Sequence, residues 1–309
     1  MRKIIIDCDP GVDDALAIMM AYHHPEIKIE AITTVAGNVG VHLTTANALK
    51  VLDVLGAEDI PVFPGAASGF VAVGQNAASV HGEDGLGDAG LPPSRRKVED
   101  EPAALALIRL AKANPGELAL IAIGPLTNLA LALKLEPDLP SYYQQLVIMG
   151  GAYLAQGNTS IPTAEFNIFA DPEAAAVVFD NWSELTMVSW EATVAHGLSK
   201  QEYQALFHFE NPRSVFLEKI SMKVMNFLEN VFGTDIFFSA DPLAMAVLLE
   251  SEIVEESIHK FVQVERNGKL TRGMTVVDWM GHSGSAPNVH IITKVNMDRF
   301  HELLKLAVE

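Results

Sequence analysis

Met1-Arg2-Lys3-Ile4-Ile5-Ile6-Asp7-Cys8-Asp9-Pro10-Gly11-Val12-Asp13-Asp14 opens the chain, and an Ala/Leu/Ile/Met run follows to Tyr22. Ile4, Ile5 and Ile6 are β-branched and unbroken by polar residues, which predicts a strand over 4–7 buried on both faces. Pro10-Gly11 then turns the chain. The residues of 13–22 hold a helix well, and Asp13 and Asp14 suit its first turn. Strand, turn and helix in that order are the unit of a parallel sheet, and carboxylates at the carboxyl end of the strand stand where such sheets bind ligands.

Reading outward, the alternation continues. Strands are expected at 29–35, 61–63, 118–123 and 146–149, and helices at 44–55 and 102–113. Gly124-Pro125 turns the chain into a further helix whose first turn holds Thr127 and Asn128. Residues 65–100 shift to Gly, Ser, Pro and mixed charge, which is long for a plain connection and predicts a functional loop or lid. A second polar loop is expected at 150–170. Residues 199–249 read as mostly helical, Asn267-Gly268 signals a hairpin between 262–264 and 274–277, and a last strand at 289–295 leads into a terminal helix. The expected fold class is α/β: one three-layer α/β/α domain over 1–309 with a mainly parallel sheet, a Rossmann-like core, and the helical region beside it.

Composition narrows the chemistry. Among 309 residues, Asp and Glu outnumber Lys and Arg 39 to 21, a net charge of −18. That field repels phosphate backbones and anionic lipid heads, so neither nucleic acid nor a membrane is an expected partner. The initial apolar run stops at Asp7, too soon for a signal peptide, and no stretch is long enough to span a membrane; a cytoplasmic protein is expected. Cys8 is the single cysteine, which excludes an internal disulfide and any multi-thiolate metal site. Four carboxylates, Asp7, Asp9, Asp13 and Asp14, fall within eight residues and repel one another unless a cation or several N–H donors offset them. Oxygen-only ligands point to calcium or magnesium. An EF-hand is excluded, because Gly11 and Val12 stand where that loop needs an oxygen ligand and its turn glycine. The bland alternative is helix capping by Asp13 and Asp14 with a solvated turn around Asp7 and Asp9.

The acidic opening resembles the signature of the inosine-uridine-preferring nucleoside hydrolase family. Ala31-Ile32-Thr33-Thr34-Val35-Ala36-Gly37-Asn38, Ile123-Gly124-Pro125-Leu126-Thr127-Asn128, Met149-Gly150-Gly151, Ala164-Glu165-Phe166-Asn167 and Arg272-Gly273-Met274-Thr275-Val276-Val277-Asp278 follow in the family's order, across nearly the whole chain. The resemblance implies the nucleoside hydrolase fold and calcium-dependent cleavage of a ribonucleoside to ribose and free base. It implies that Asp9, Asp14, Asp241 and the carbonyl of Ile123 hold calcium, and that Asp9 is the general base on a water the ion activates. It places Asn38 near that water, Asp13, Glu165 and Asn167 on ribose hydroxyls, Asn158 near the 5′-hydroxyl, Met149 and Phe166 in the substrate pocket, and His81 on a loop beside the base. It also implies a homodimer or homotetramer.

One departure stands out. Several members carry a histidine, proposed to protonate the leaving base, just before the last calcium aspartate, and this chain has Ala240. His81, a residue of 230–239, or solvent could supply that proton instead. Phe237 and Phe238 could stack on a purine or fill the core, while Trp190, Trp279 and His196 are read as structural. Two other readings remain: a calcium-dependent nucleoside or ribose binder without turnover, and a phosphatase of the haloacid dehalogenase type, since a strand followed by Asp7-x-Asp9 also resembles that nucleophile and acid. No later Lys and second acidic motif supports the phosphatase. No Arg or Lys cluster lies in the expected site, so nucleosides are favoured over nucleotides.

Overall fold

The computed structural model describes residues 1–71 and 76–309. Strands β1 (Arg2–Cys8), β2 (Ile27–Thr34), β3 (Val62–Pro64), β4 (Leu118–Ala122), β5 (Tyr143–Met149) and β6 (Leu185–Val188) are joined by β12 (Val289–Val295) and β9 (Val254–Lys260) in one sheet, ordered β3-β2-β1-β4-β5-β6-β12-β9. Each neighbouring pair is parallel except β12 with the edge strand β9. The order reverses direction between β1 and β4. At such a switch point the loops leaving the two strands diverge and open a crevice at their carboxyl ends.

The alternation inside β1 explains the layers. Ile4, Ile6 and Cys8 join one apolar cluster and Ile5 the other, as period-two geometry requires of a strand covered on both sides. Helices α1 (Val12–His23), α2 (Val41–Leu55), α11 (Pro212–Phe227), α12 (Ala240–Leu249) and α13 (Met297–Leu306) pack on the first face; α4 (Ala103–Ala113), α5 (Thr127–Leu135) and α8 (Pro172–Asn181) pack on the second. The three-layer α/β/α arrangement is therefore borne out. Short helices α3 (Ala78–His81), α6 (Leu139–Tyr142), α7 (Phe166–Ala170), α9 (Trp190–Ala195) and α10 (Lys200–Ala205) lie in the connections. No helix among the described residues is long and apolar enough to cross a membrane.

The differences from expectation are local. The polar loop at 150–170 ends in α7, whose start is fixed by Glu165 accepting the N–H groups of Asn167 and Ile168. The helical region at 199–249 also holds a two-stranded ribbon, β7 (Leu198–Ser199) with β8 (Ile236–Phe237), and α11 runs on into a π-helical turn, Leu228–Phe232. The hairpin exists as β10 (Val262–Val264) paired antiparallel with β11 (Thr275–Val277). Asn267-Gly268 is not its two-residue turn, however, but part of the longer 265–274 connection, gathered by Glu265 Oε1. Of the expected lid, α3 is the helical part; residues 72–75 lie outside the described residues.

Candidate active site

β1 delivers its carboxylates into the crevice, and none of the reactive ones is solvated. Asp7, Asp9 and Asp14 are at most 1 % exposed, which excludes the solvated turn. The start of α1 organises them. Asp14 accepts the N–H groups of Asp9 (3.1 Å) and Gly11 (2.8 Å), and Asn38 donates its backbone N–H to Asp9 Oδ2 (2.6 Å) and its side-chain amide to Asp14 (3.2 Å). From the far side of the crevice, the first turn of α12 adds Asp241, so that oxygens of Asp13, Asp14 and Asp241 lie within 4.8 Å of one another. Asp9 stands beside this triad, turned onto Asn38, and its carboxylate leaves no space for side chains at two neighbours: a Cβ on Gly37 would come to 2.1 Å of it and one on Gly124 to 2.6 Å.

Burial, and then mutual repulsion, push the Asp9 and Asp241 carboxyls well above the ordinary carboxylate range and Asp14 up to about 7. Asp13 Oδ1 is buried with no hydrogen-bond partner among the described residues. Four crowded acids, one with an orphaned oxygen and, among the described residues, none with an Arg or Lys partner, suit a hard divalent cation. Below them Asp7 accepts from Thr33 Oγ1 (2.5 Å) and Asn128 Nδ2 (2.8 Å). Burial still raises its carboxyl to about 7.

β4 and β5 end on the opposite wall. Asn167 Nδ2 donates to the carbonyls of Ile123 (3.0 Å) and Met149 (3.1 Å) and lies 3.4 Å from Met149 Sδ. Glu165 accepts from Gly151 and Asn167, both at 2.9 Å, and its burial raises the carboxyl to about 7. Asn158 Oδ1 holds the N–H of Phe166 (2.9 Å). These residues, with Asp9, Asp13, Asn38, His81 and Asp241, border one cavity of about 610 Å³, ample for a nucleoside. All the site residues read from the sequence meet at this crevice except Asp14, which sits behind it holding Asp9 and Gly11.

His81 approaches from α3. The backbone N–H of Val12 donates to His81 Nδ1 (3.2 Å), so Nδ1 is an acceptor and the ring proton sits on Nε2. Burial lowers the imidazole pKa, against the pull of Asp13. His81 is thus a neutral hydrogen-bond donor. Ala240 lines the cavity without a proton to give, and the cavity-lining members of 230–239 include Phe237 and Phe238. Phe237 stacks on Tyr203 with centroids 3.5 Å apart and is core, whereas Phe238 packs at 5.3 Å against Trp190.

Trp190 therefore borders the cavity, which its reading as purely structural missed; its neighbour Glu191 was missed as well. Glu191 accepts the N–H groups of Tyr153, Leu154 and Gln156, fixing the loop that carries Asn158. A Trp-Glu pair in a stretch with no assigned element carries no signal in one sequence. His196 is structural as expected, joining Ala192 O to the N–H of Val295, and Trp279, though 44 % exposed, sets its ring against Tyr153 with centroids 6.2 Å apart.

With this geometry in hand, comparison with known proteins is decisive: the sequence model of the inosine-uridine preferring nucleoside hydrolases matches residues 4–302. The chain belongs to that family. It is accordingly a hydrolase acting on N-glycosyl bonds, with a small-molecule nucleoside as substrate. It is 36 % identical to an inosine-uridine preferring nucleoside hydrolase of Leishmania major over 100 % of this chain and 98 % of that one. It is 35 % identical to a pyrimidine-specific ribonucleoside hydrolase of Salmonella arizonae over 97 % and 96 %. A solved inosine-guanosine nucleoside hydrolase superimposes with a TM-score of 0.92 at 36 % identity, covering 99 % of this chain and 98 % of the other.

Proposed function

We propose that the chain hydrolyses ribonucleosides to ribose and free base in a calcium-dependent reaction with Asp9 as general base. The observation that carries this reading is the crowded set of acids at a nucleoside-sized cavity, with Asp9, Asp13 and Asp241 on its wall and the buried Asp14 directly behind them. Asp9, Asp14, Asp241 and the carbonyl of Ile123 would hold the ion, an all-oxygen set of the kind calcium takes. When bound, calcium lowers the pKa of a coordinated water and orients ribose hydroxyls.

The chain's own groups do the rest. Asn38 occupies Asp9 Oδ2, so Oδ1 takes the proton of the water that attacks C1′. Asp13, Glu165 and Asn167 receive the ribose hydroxyls, and Asn158 the 5′ end. A pocket whose buried polar groups only ribose can satisfy discriminates strongly against sugars lacking those hydroxyls. The C1′–N bond breaks with its electron pair leaving on the base, which rests on Trp190 and Phe238 and takes its proton from solvent, since His81 is held neutral. General-base catalysis contributes about 10²- to 10⁴-fold. Asp9→Asn should lower kcat for inosine by that order while circular dichroism stays unchanged, and an undiminished kcat would refute the assignment.

A further inference from the structure

At the other end of the sheet, three strands bring together side chains that the hydrolase site does not use. The edge strand β9 pairs with β12 so that His259 lies opposite His290, and β12 pairs with β6 so that His290 lies opposite Thr186. Glu184 lies in the bend just before β6. The two imidazoles stack with centroids 3.9 Å apart and planes 11° from parallel. One ligand atom from each of Glu184, His259 and His290 lies within 4.8 Å of the other two. Glu184 and His259 are exposed and His290 is half-buried, so the rings can turn toward a shared ion at little cost. Among the described residues neither imidazole forms a hydrogen bond or ion pair within the chain.

Two stacked imidazoles repel when both are protonated, and burial together with His290 lowers the pKa of His259. His259 therefore favours the neutral form that binds metals. Nitrogen, nitrogen and carboxylate is a borderline-metal donor set, unlike the oxygen-only acids of the crevice. His290 is the second residue of β12, so the cluster sits at the amino ends of the parallel strands, away from the nucleoside cavity at their carboxyl ends.

We propose that Glu184, His259 and His290 bind one transition-metal ion of the zinc class, which ties the edge strand β9 to β12 and β6. The test is a calorimetric titration of zinc chloride into the full chain, kept saturated with calcium so that the acid cluster is occupied. The result expected is uptake of one zinc ion per chain and a rise in Tm. Loss of a metal's outer partner already costs about 10- to 100-fold in affinity, so His259→Ala, His290→Ala and Glu184→Gln should each weaken uptake at least about tenfold. Glu184 and His259 are on the surface and His290 is half-buried, and circular dichroism of each variant checks that it is folded. No uptake by the wild-type chain, or uptake that the histidine substitutions leave untouched, overturns the proposal. Full affinity in Glu184→Gln overturns the three-residue site.

Discussion

Gly37 shows how tightly single residues are held around the base. A Cβ there would stand 2.1 Å from Asp9 Oδ2, so Gly37→Ala must displace the carboxylate from Asn38. We expect kcat to fall at least about tenfold, since small misplacements of catalytic groups cost up to about 10²-fold; a kcat within twofold of wild type would contradict that geometry. Ala240 poses the opposite case, a vacancy of chemistry beside Asp241. Ala240→His should speed cleavage of uridine, a poor leaving group, more than that of inosine, and an unchanged uridine rate would show that protonation does not limit the reaction. His81 separates acid from donor: because Val12 fixes its neutral tautomer, His81→Gln should weaken activity without removing an alkaline limb of the pH–rate profile, which loss of a general acid would do. The acids were legible in the sequence because four charges after an apolar strand need a cation or donors. The tautomer of His81 was not, because it depends on a backbone N–H 69 residues away in the chain.

The elements divide along the same line. β1, α1, β2 and α2 could be read from their apolar periods because they are buried, and burial writes itself into composition. β9 could not: Glu255, Glu256, His259 and Lys260 crowd an edge strand, and charge on an edge discourages pairing with other chains. β6 has only four residues, too few for a period. The loop carrying Asn158 is held by an element outside it, through the three N–H groups that Glu191 accepts from α9. Hydrogen bonds to a charged group are worth about 1.5–3 kcal/mol each when buried, and less at partial exposure. Glu191→Ala should therefore raise KM for nucleoside and hasten proteolytic cleavage within 153–156, with little change in overall stability. Unchanged KM and cleavage would release the loop from that role.

At the scale of the whole molecule, the acid crevice sets a trade between stability and pH. Asp7, Asp14 and Glu165 have carboxyls raised to about 7 by burial, whereas their unfolded counterparts ionise near 4. Between those values the folded, cation-free chain holds protons that the unfolded chain has released, so its stability falls as pH rises through that window. Chelator-treated protein should thus have a higher Tm at pH 5.5 than at 7.5, and saturating calcium should raise the Tm most at 7.5. A Tm that climbs with pH in the chelator would contradict this electrostatic picture. The same crowding makes the ion central to the reaction proposed here. Its most direct test is release of reducing sugar from inosine by chelator-stripped protein, with calcium then restored in steps. The account predicts no release after stripping and full recovery as calcium returns, while undiminished release in the chelator, or none after calcium is bound, would contradict it.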